Sequence, residues 1–417
     1  MKPAHILVPT FFSFRDALTQ TYTLPYVKIM KKYLPKGSKI YLMTLEQSHF
    51  KMSEAQKKEA KTKLQNDFDI HLLDFPYYPF GTRAMLNWTR IISTLVKIIY
   101  TKKIQFIHPF CVTAGAGGYI LSKITGKKLI IDSFEPHAET MLESNTWTKN
   151  SRAFQILWNL EKMETKHASA FIPCVNEMKN YAKNRYGVDV SERCLESKPA
   201  CVDLDLFDFN KRKDPKLVEE LGLQDKIVSV YAGKFGSSYL EKEIFDFWKV
   251  CHNFWGDKFR VLILTSHKEE EINLYCKASD LNRNIVTAKF VFHEHIPAYI
   301  GLGDFGVTPF KPAASKRYGT PIKTGEYWSM GLPVVITPNI SDDSETIEKY
   351  KIGSIMNEFT EKEYLRIAEE INELLIHKEE TNLNQKIRKI AEKYRGFQIA
   401  HRVYDELYGE NGRVWKF

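Results

Sequence analysis

The densest chemistry in the chain lies at residues 320–335. Thr320 and Pro321 read as the cap and first residue of a helix, a place where a missing amide hydrogen costs nothing. Gly331 suits the position just past the helix, and Pro333 prevents continuation. Lys323 and Glu326 are three apart, so they share one face. A helix N-terminus offers free N–H groups and a partial positive charge to phosphate, and Lys323 adds a full charge. Glu326, deeper in the helix, can accept two hydrogen bonds from a ribose diol. The set suits a nucleoside diphosphate. An ordinary capped helix with a surface Lys–Glu pair fits the same residues.

A second segment, 229–238, reads as a strand ending in Gly233 and Lys234, with Gly236 opening a turn. Ser238 and Glu241 have capping-box spacing for the helix that follows. Asp203 and Asp205 form a D-x-D pair, but in a linker, where the match to a metal-binding motif is coincidence. His293 and His295 read as loop histidines, since no further ligand stands at standard metal spacing. No metal site and no cofactor are expected.

The 320–335 segment resembles the donor-site helix of the retaining GT-B glycosyltransferases of sequence family 4, S/T-P-x-K-x-x-E-Y-x-x-x-G-x-P-V. Thr320, Pro321, Lys323, Glu326, Tyr327, Gly331, Pro333 and Val334 match it. Tyr318 stands where many members carry an earlier glutamate. The resemblance implies that Lys323 meets the donor phosphates and Glu326 the ribose. It implies that Gly233 and Lys234, like the family's Gly-Arg/Lys strand end, also meet the diphosphate. Residues 290–297 and 303–310 resemble the stretch framing base and sugar, with backbone near Phe292 and His293 reading the base. In the first half, 18–26, 106–110 and 131–139 resemble acceptor-facing loops. They bring in Thr19, Gln20, His108 and Glu135 on the acceptor side, and His137 near the reacting sugar. The implied reaction keeps anomeric configuration and uses cations where other transferases use a divalent metal.

These residues need elements to hold them. Short β-branched or aromatic runs at 5–8, 39–44, 106–108, 128–132 and 170–175 alternate with helical patterns at 24–34, 56–65, 113–124 and 178–186. A second series has strands at 226–231, 259–264, within 286–292, at 305–309 and 334–337. Its helices fall at 240–254, 269–278, 296–302, 321–330, 361–375 and 382–394. The rhythm predicts an α/β protein with two Rossmann-like, doubly wound parallel sheets, a GT-B fold. Expected spans are an acceptor domain at 1–200, a donor domain at 201–395, and a C-terminal helix at 396–417 crossing back to the first. Ligands sit beyond the carboxyl ends of such strands, which puts the expected site in a cleft between the lobes.

The 417 residues suffice for two such domains, and 27% charged against 43% apolar is ordinary globular composition. The net charge of +9 favours anionic partners: nucleotide phosphates, lipid phosphates or an anionic membrane. No arginine-rich arm or nucleic-acid motif accompanies it, so nucleic acid is not an expected partner. Six cysteines without a C-x-x-C pair read as free or buried thiols of a reducing compartment. The N-terminus does not read as a secretory signal, and no run reaches the ~20 apolar residues of a spanning helix. A cytoplasmic enzyme is expected. Residues 90–103, apolar with cationic flanks, suggest peripheral contact with an inner membrane face and a surface-glycan acceptor; a half-buried sheet-covering helix explains them as well. Two rivals stand beside this reading. A non-catalytic GT-B-like binding protein is suggested by Tyr318. An NAD-dependent oxidoreductase is suggested by Gly115, Gly117 and Gly118, although Ile120 fails the third glycine position.

Overall fold

The computed structural model describes residues 2–79 and 81–416; Met1, Phe80 and Phe417, which fall within the expected spans, lie outside the described residues. The chain divides into two units, Met1–Pro199 with Gln398–Phe417, and Ala200–Phe397.

Unit 1 runs β1 (His5–Pro9), α1 (Leu24–Tyr33), β2 (Ile40–Glu46), α2 (Glu54–Phe68), β3 (Ile70–Pro76), α3 (Thr82–Thr101), β4 (Ile104–Ile107), α4 (Val112–Thr125), β5 (Lys128–Phe134), α5 (His137–Glu143), α6 (Arg152–His167), β6 (Ala170–Pro173) and α7 (Met178–Tyr181). Its parallel sheet has the order β3-β2-β1-β4-β5-β6. The order reverses beside β1. Right-handed crossovers therefore put α1 and α2 on one face and α3, α4 and α6 on the other. Strands covered on both faces are apolar without alternation, as at Ile6, Leu7 and Val8. The 90–103 pattern covers the second half of α3 and the two lysines past its end; Ile91, Leu95 and Ile99 are buried in it at helical spacing.

Unit 2 repeats the plan. It runs α8 (Pro215–Glu220), β7 (Ile227–Ala232), α9 (Lys242–Trp255), β8 (Phe259–Leu264), α10 (Glu269–Ala278), β9 (Val286–Lys289), α11 (Ile296–Ile300), β10 (Phe305–Thr308), α12 (Ile322–Ser329), β11 (Val334–Ile336), α13 (Asp343–Tyr350), β12 (Gly353–Ile355), α14 (Glu361–Ile376) and α15 (Leu383–Arg395). The sheet order is β12-β11-β10-β7-β8-β9, again parallel and again reversing at its first strand.

The last helix, α16 (Gln398–Tyr408), packs on α1 in unit 1. A buried polar cluster fixes it there. The Tyr404 hydroxyl donates to Asp132 Oδ2 at 2.7 Å, and His108 bridges Asp132 (3.1 Å) and the Tyr408 hydroxyl (2.6 Å). Lys198 Nζ lies 3.1 Å from Asp132 Oδ1 and 3.5 Å from the Tyr26 ring centroid. Burial by itself would raise the Asp132 pKa; Lys198, His108 and Tyr404 override it and hold the carboxyl at about 2.

Glycines of α4 serve helix packing. A Cβ on Gly115 would stand 2.5 Å from Glu164 Oε2 of α6, and one on Gly118 would meet Leu129 and Pro109 at 3.1 Å. All six cysteines are free, and no helix among the described residues is long and apolar enough to cross a membrane.

Candidate functional site

Gly233 and Lys323 of unit 2 meet where β7 ends and α12 begins. Gly233 leaves β7 with φ +146°, and a Cβ there would stand 2.9 Å from Lys323 Nζ and 3.3 Å from the Tyr231 hydroxyl. The backbone conformation there favours glycine, and the Lys323 ammonium packs over it. Lys323 Nζ sits 3.7 Å from the Tyr239 ring centroid and 5.3 Å from that of Tyr231. Tyr239 in turn stacks on Phe310 at 4.5 Å. Among the described residues Lys323 has no acidic partner within 4 Å. Aromatic faces steady the ammonium without neutralising it. Lys234, next along, is exposed, and its carbonyl accepts from the Tyr231 hydroxyl at 2.5 Å.

The helix opens on Pro321, with no side chain capping it, so its first amides keep their donor capacity. Thr320 is not the cap expected from sequence. Its hydroxyl instead accepts from the Arg395 guanidinium and from the Ala200 amide at 3.2 Å. Ser238 and Glu241 likewise form no capping box. Ser238 Oγ accepts from Lys316 Nζ at 3.1 Å, and α9 starts at Lys242 with Glu241 as an uncapped N-cap.

Glu326 is half-buried, and its carboxylate has no hydrogen-bond partner among the described residues. Burial pushes its pKa up to about 7 against the pull of Lys323. A carboxylate in this state is a ready acceptor for hydroxyls. Tyr327 fixes α12 against the sheet: its hydroxyl accepts from the Ala232 amide at 2.9 Å, and its ring fills the space over Gly306, where a Cβ would stand 2.6 Å away. Beneath, buried Arg395 pairs with Asp343. Burial raises the Asp343 carboxyl to about 6, with Arg395 opposing.

Phe292 and His293 lie just past β9; Phe292 is 66% exposed, so its ring is open to a partner. Asp203 Oδ1 accepts from the amides of Asp205 and Leu206, both at 3.1 Å, which makes the D-x-D pair a turn. No group of three or more potential metal ligands occurs among the described residues.

In unit 1 the candidates are scattered. Glu135 and His137 follow the carboxyl end of β5, half-buried, and His137 opens α5. The Ala138 amide there is taken by buried Glu161 at 2.8 Å. Gln20 is exposed on a π-helical turn, Thr19–Thr23, with its amide donating to the Phe14 carbonyl. Thr19 is buried. His108 is corrected outright as an acceptor-side residue, because it is fully buried and both ring nitrogens are engaged by Tyr408 and Asp132. Sequence reasoning missed Tyr239 and Arg395, which lie far from the 320–335 motif in sequence and carry no signature.

Two doubly wound sheets with this strand order define the GT-B fold of glycosyltransferases. Solved structures of that fold align along nearly the whole chain. A glycosyltransferase from Rickettsia africae shares 14% identity, with a TM-score of 0.68 over 97% of this chain and 99% of that one. Anabaena HepE, solved with UDP and glucose, shares 16%, with a TM-score of 0.68 over 96% and 97%. WaaG, a glycosyltransferase involved in lipopolysaccharide biosynthesis, shares 10%, with a TM-score of 0.67 over 96% and 98%. At such identities the likeness is one of fold. Residues 253–405, most of unit 2 and the start of α16, match the family model of the glucosyltransferase 3-like C-terminal domain. No curated protein matches the sequence.

Proposed function

We propose that the chain transfers a sugar from a nucleoside-diphosphate donor, with retention of configuration and without a metal ion, to a glycan or lipid-linked acceptor. The supporting observation is the meeting of Lys323 with Gly233, which joins two separate motif segments into one cationic site at a helix N-terminus. The diphosphate sits on Lys323, Lys234 and the first amides of α12, and the ribose diol donates to Glu326. Breaking the anomeric C–O bond leaves negative charge on the diphosphate, which preorganised cations stabilise as it develops. The acceptor oxygen bonds to the anomeric carbon on the face the diphosphate leaves. Its proton passes to the leaving phosphate oxygen. His137 and Glu135 contribute on the sugar and acceptor side.

The glucosyltransferase 3-like match and the UDP and glucose bound by the Anabaena neighbour make UDP-glucose the first donor to try. WaaG's part in lipopolysaccharide biosynthesis favours a surface glycan made at the inner face of a membrane. A thermal-shift screen of UDP-, GDP-, ADP- and CDP-sugars, followed by hydrolysis of the best binder, tests the reading, since a ligand of the native state raises its melting temperature. A binder that is never consumed would leave a binding protein, and NAD as the best binder would leave an oxidoreductase. Activity should survive EDTA, and NMR of the product should show the donor's anomeric configuration. Rescue of EDTA-treated enzyme by manganese, or an inverted product, overturns the corresponding part.

A further inference from the structure

The charge of the chain is unevenly placed. Unit 1 carries 32 Lys and Arg against 20 Asp and Glu, whereas unit 2 carries 28 against 31. The excess in unit 1 has a location. From residue 75 to residue 131 there are eight Lys and Arg and no Asp or Glu. That stretch supplies α3 and α4, and α4 packs between α3 and α6 on one face of the sheet. Helix α6 contains two acids, Glu161 and Glu164, and both are fully buried. The outer surface of the three-helix layer therefore has no acidic side chain of its own. Arg83, Arg90, Lys97, Lys123, Arg152 and Lys166 are exposed on it, none with an acidic partner within 4 Å among the described residues.

The same surface is apolar. Among the described residues of unit 1, every exposed large hydrophobic side chain except Leu18 lies on these helices: Met85, Leu86 and Tyr100 on α3, Ile120 and Ile124 on α4, Ile156 and Met163 on α6. Isolated exposed apolar groups are ordinary; a layer that interleaves them with unpaired cations is not. Packing within the layer uses other residues, such as Leu95 of α3 and Leu121 of α4, so the exposed set is unexplained by the fold.

We infer that the α3–α4–α6 face is the surface by which this protein lies on an anionic lipid bilayer. This rests on, and localises, the proposed activity at a membrane. Exposed cations of these helices meet lipid phosphates while the exposed apolar side chains of the same helices enter the headgroup boundary. The chemistry disfavours the other occupants. A second copy would bring one cationic face against another. A nucleic acid would match the cations and leave the apolar groups without a partner.

Flotation with vesicles of phosphatidylcholine alone and of phosphatidylcholine with phosphatidylglycerol, at low and high salt, tests this. Wild-type protein should float with the anionic vesicles, less so at high salt. Each cation near such a surface is worth about fivefold in partitioning, so Arg83→Glu with Arg90→Glu and Lys97→Glu should reduce binding by about a hundredfold or more. Leu86→Ser with Ile124→Ser should reduce it at both salt levels. Lys58→Glu with Lys63→Glu on α2, across the sheet, serves as the control and should have a much smaller effect. All these positions are exposed, so folding is spared. Absence of flotation, or equal loss in the α2 control, overturns the inference. So does a dimer that Leu86→Ser dissociates, or binding to a nucleic acid that rivals the vesicles and ignores the serine substitutions. UDP-glucose hydrolysis without an acceptor should be unchanged in all variants. Its absence in wild type would sink the transferase reading and leave vesicle binding to stand or fall by itself.

Discussion

Lys323 and Glu326 lie one turn apart on α12, and the proposed function gives them different parts of a donor to hold. Losing Lys323 leaves developing phosphate charge unmet, so Lys323→Ala should lower kcat by roughly 10²–10³ in a steady-state transfer assay. Glu326 binds before reaction, so Glu326→Gln should raise the donor KM more than it lowers kcat. Because its carboxyl is raised to about 7, the ionised acceptor is lost as pH falls through that value. UDP-glucose does not itself titrate there, and its affinity by calorimetry should strengthen between pH 6 and 8 in the wild type and stay flat in Glu326→Gln. Glu164 poses a stability question instead. It is fully buried, its oxygens have no hydrogen-bond partner, and burial with Glu161 nearby raises its pKa well above the ordinary range. A folded-state pKa raised in this way gives stability that is full below the unfolded value and lost as pH rises towards the folded one. Glu164→Gln should therefore melt with the wild type at pH 4 and above it at pH 8, each kcal/mol recovered appearing as about 2–4 °C.

At the scale of elements, α12 is held in place by what it touches. Its neighbour β10 contributes Gly306, whose missing Cβ makes room for the Tyr327 ring, and the Tyr327 hydroxyl accepts from β7 at Ala232. Gly306→Ala inserts a methyl group into a full core. It should cost about 1–3 kcal/mol by denaturant unfolding and weaken UDP-glucose binding by displacing the helix that carries Lys323 and Glu326. A variant that binds as the wild type does would show that α12 is positioned otherwise. The sequence made the helix legible, because its periodicity and its Gly331–Pro333 stop are local. Its first residue was misplaced by one, because Thr320 is drawn off by Arg395, seventy-five positions away. Strand β3 and helix α6 were not read at all. The first is a half-exposed strand, and the second carries buried acids that break the apolar pattern.

At the scale of the whole molecule, the end of the chain belongs to the first unit. Ile399, Val403, Tyr404, Leu407 and Tyr408 are buried, and Asp132 and His108 lose a hydroxyl partner each without them. Truncation after Phe397 should therefore destabilise unit 1 selectively. Hydrogen exchange should accelerate in β4 and β5 while β7 to β12 keep wild-type protection, and an even loss across both sheets would contradict the assignment.

The sequence by itself determined two doubly wound sheets and the helix that carries Lys323 and Glu326, because alternating apolar runs, proline and glycine stops, and a Lys–Glu spacing act within a few residues. Tertiary structure decided the rest. It alone brought Tyr239 beneath Lys323, turned His108 inward to Asp132 and Tyr408, and gathered the exposed cations of α3, α4 and α6 onto one face. Such contacts join residues tens to hundreds apart, and no local pattern records which side chains a sheet will bring together.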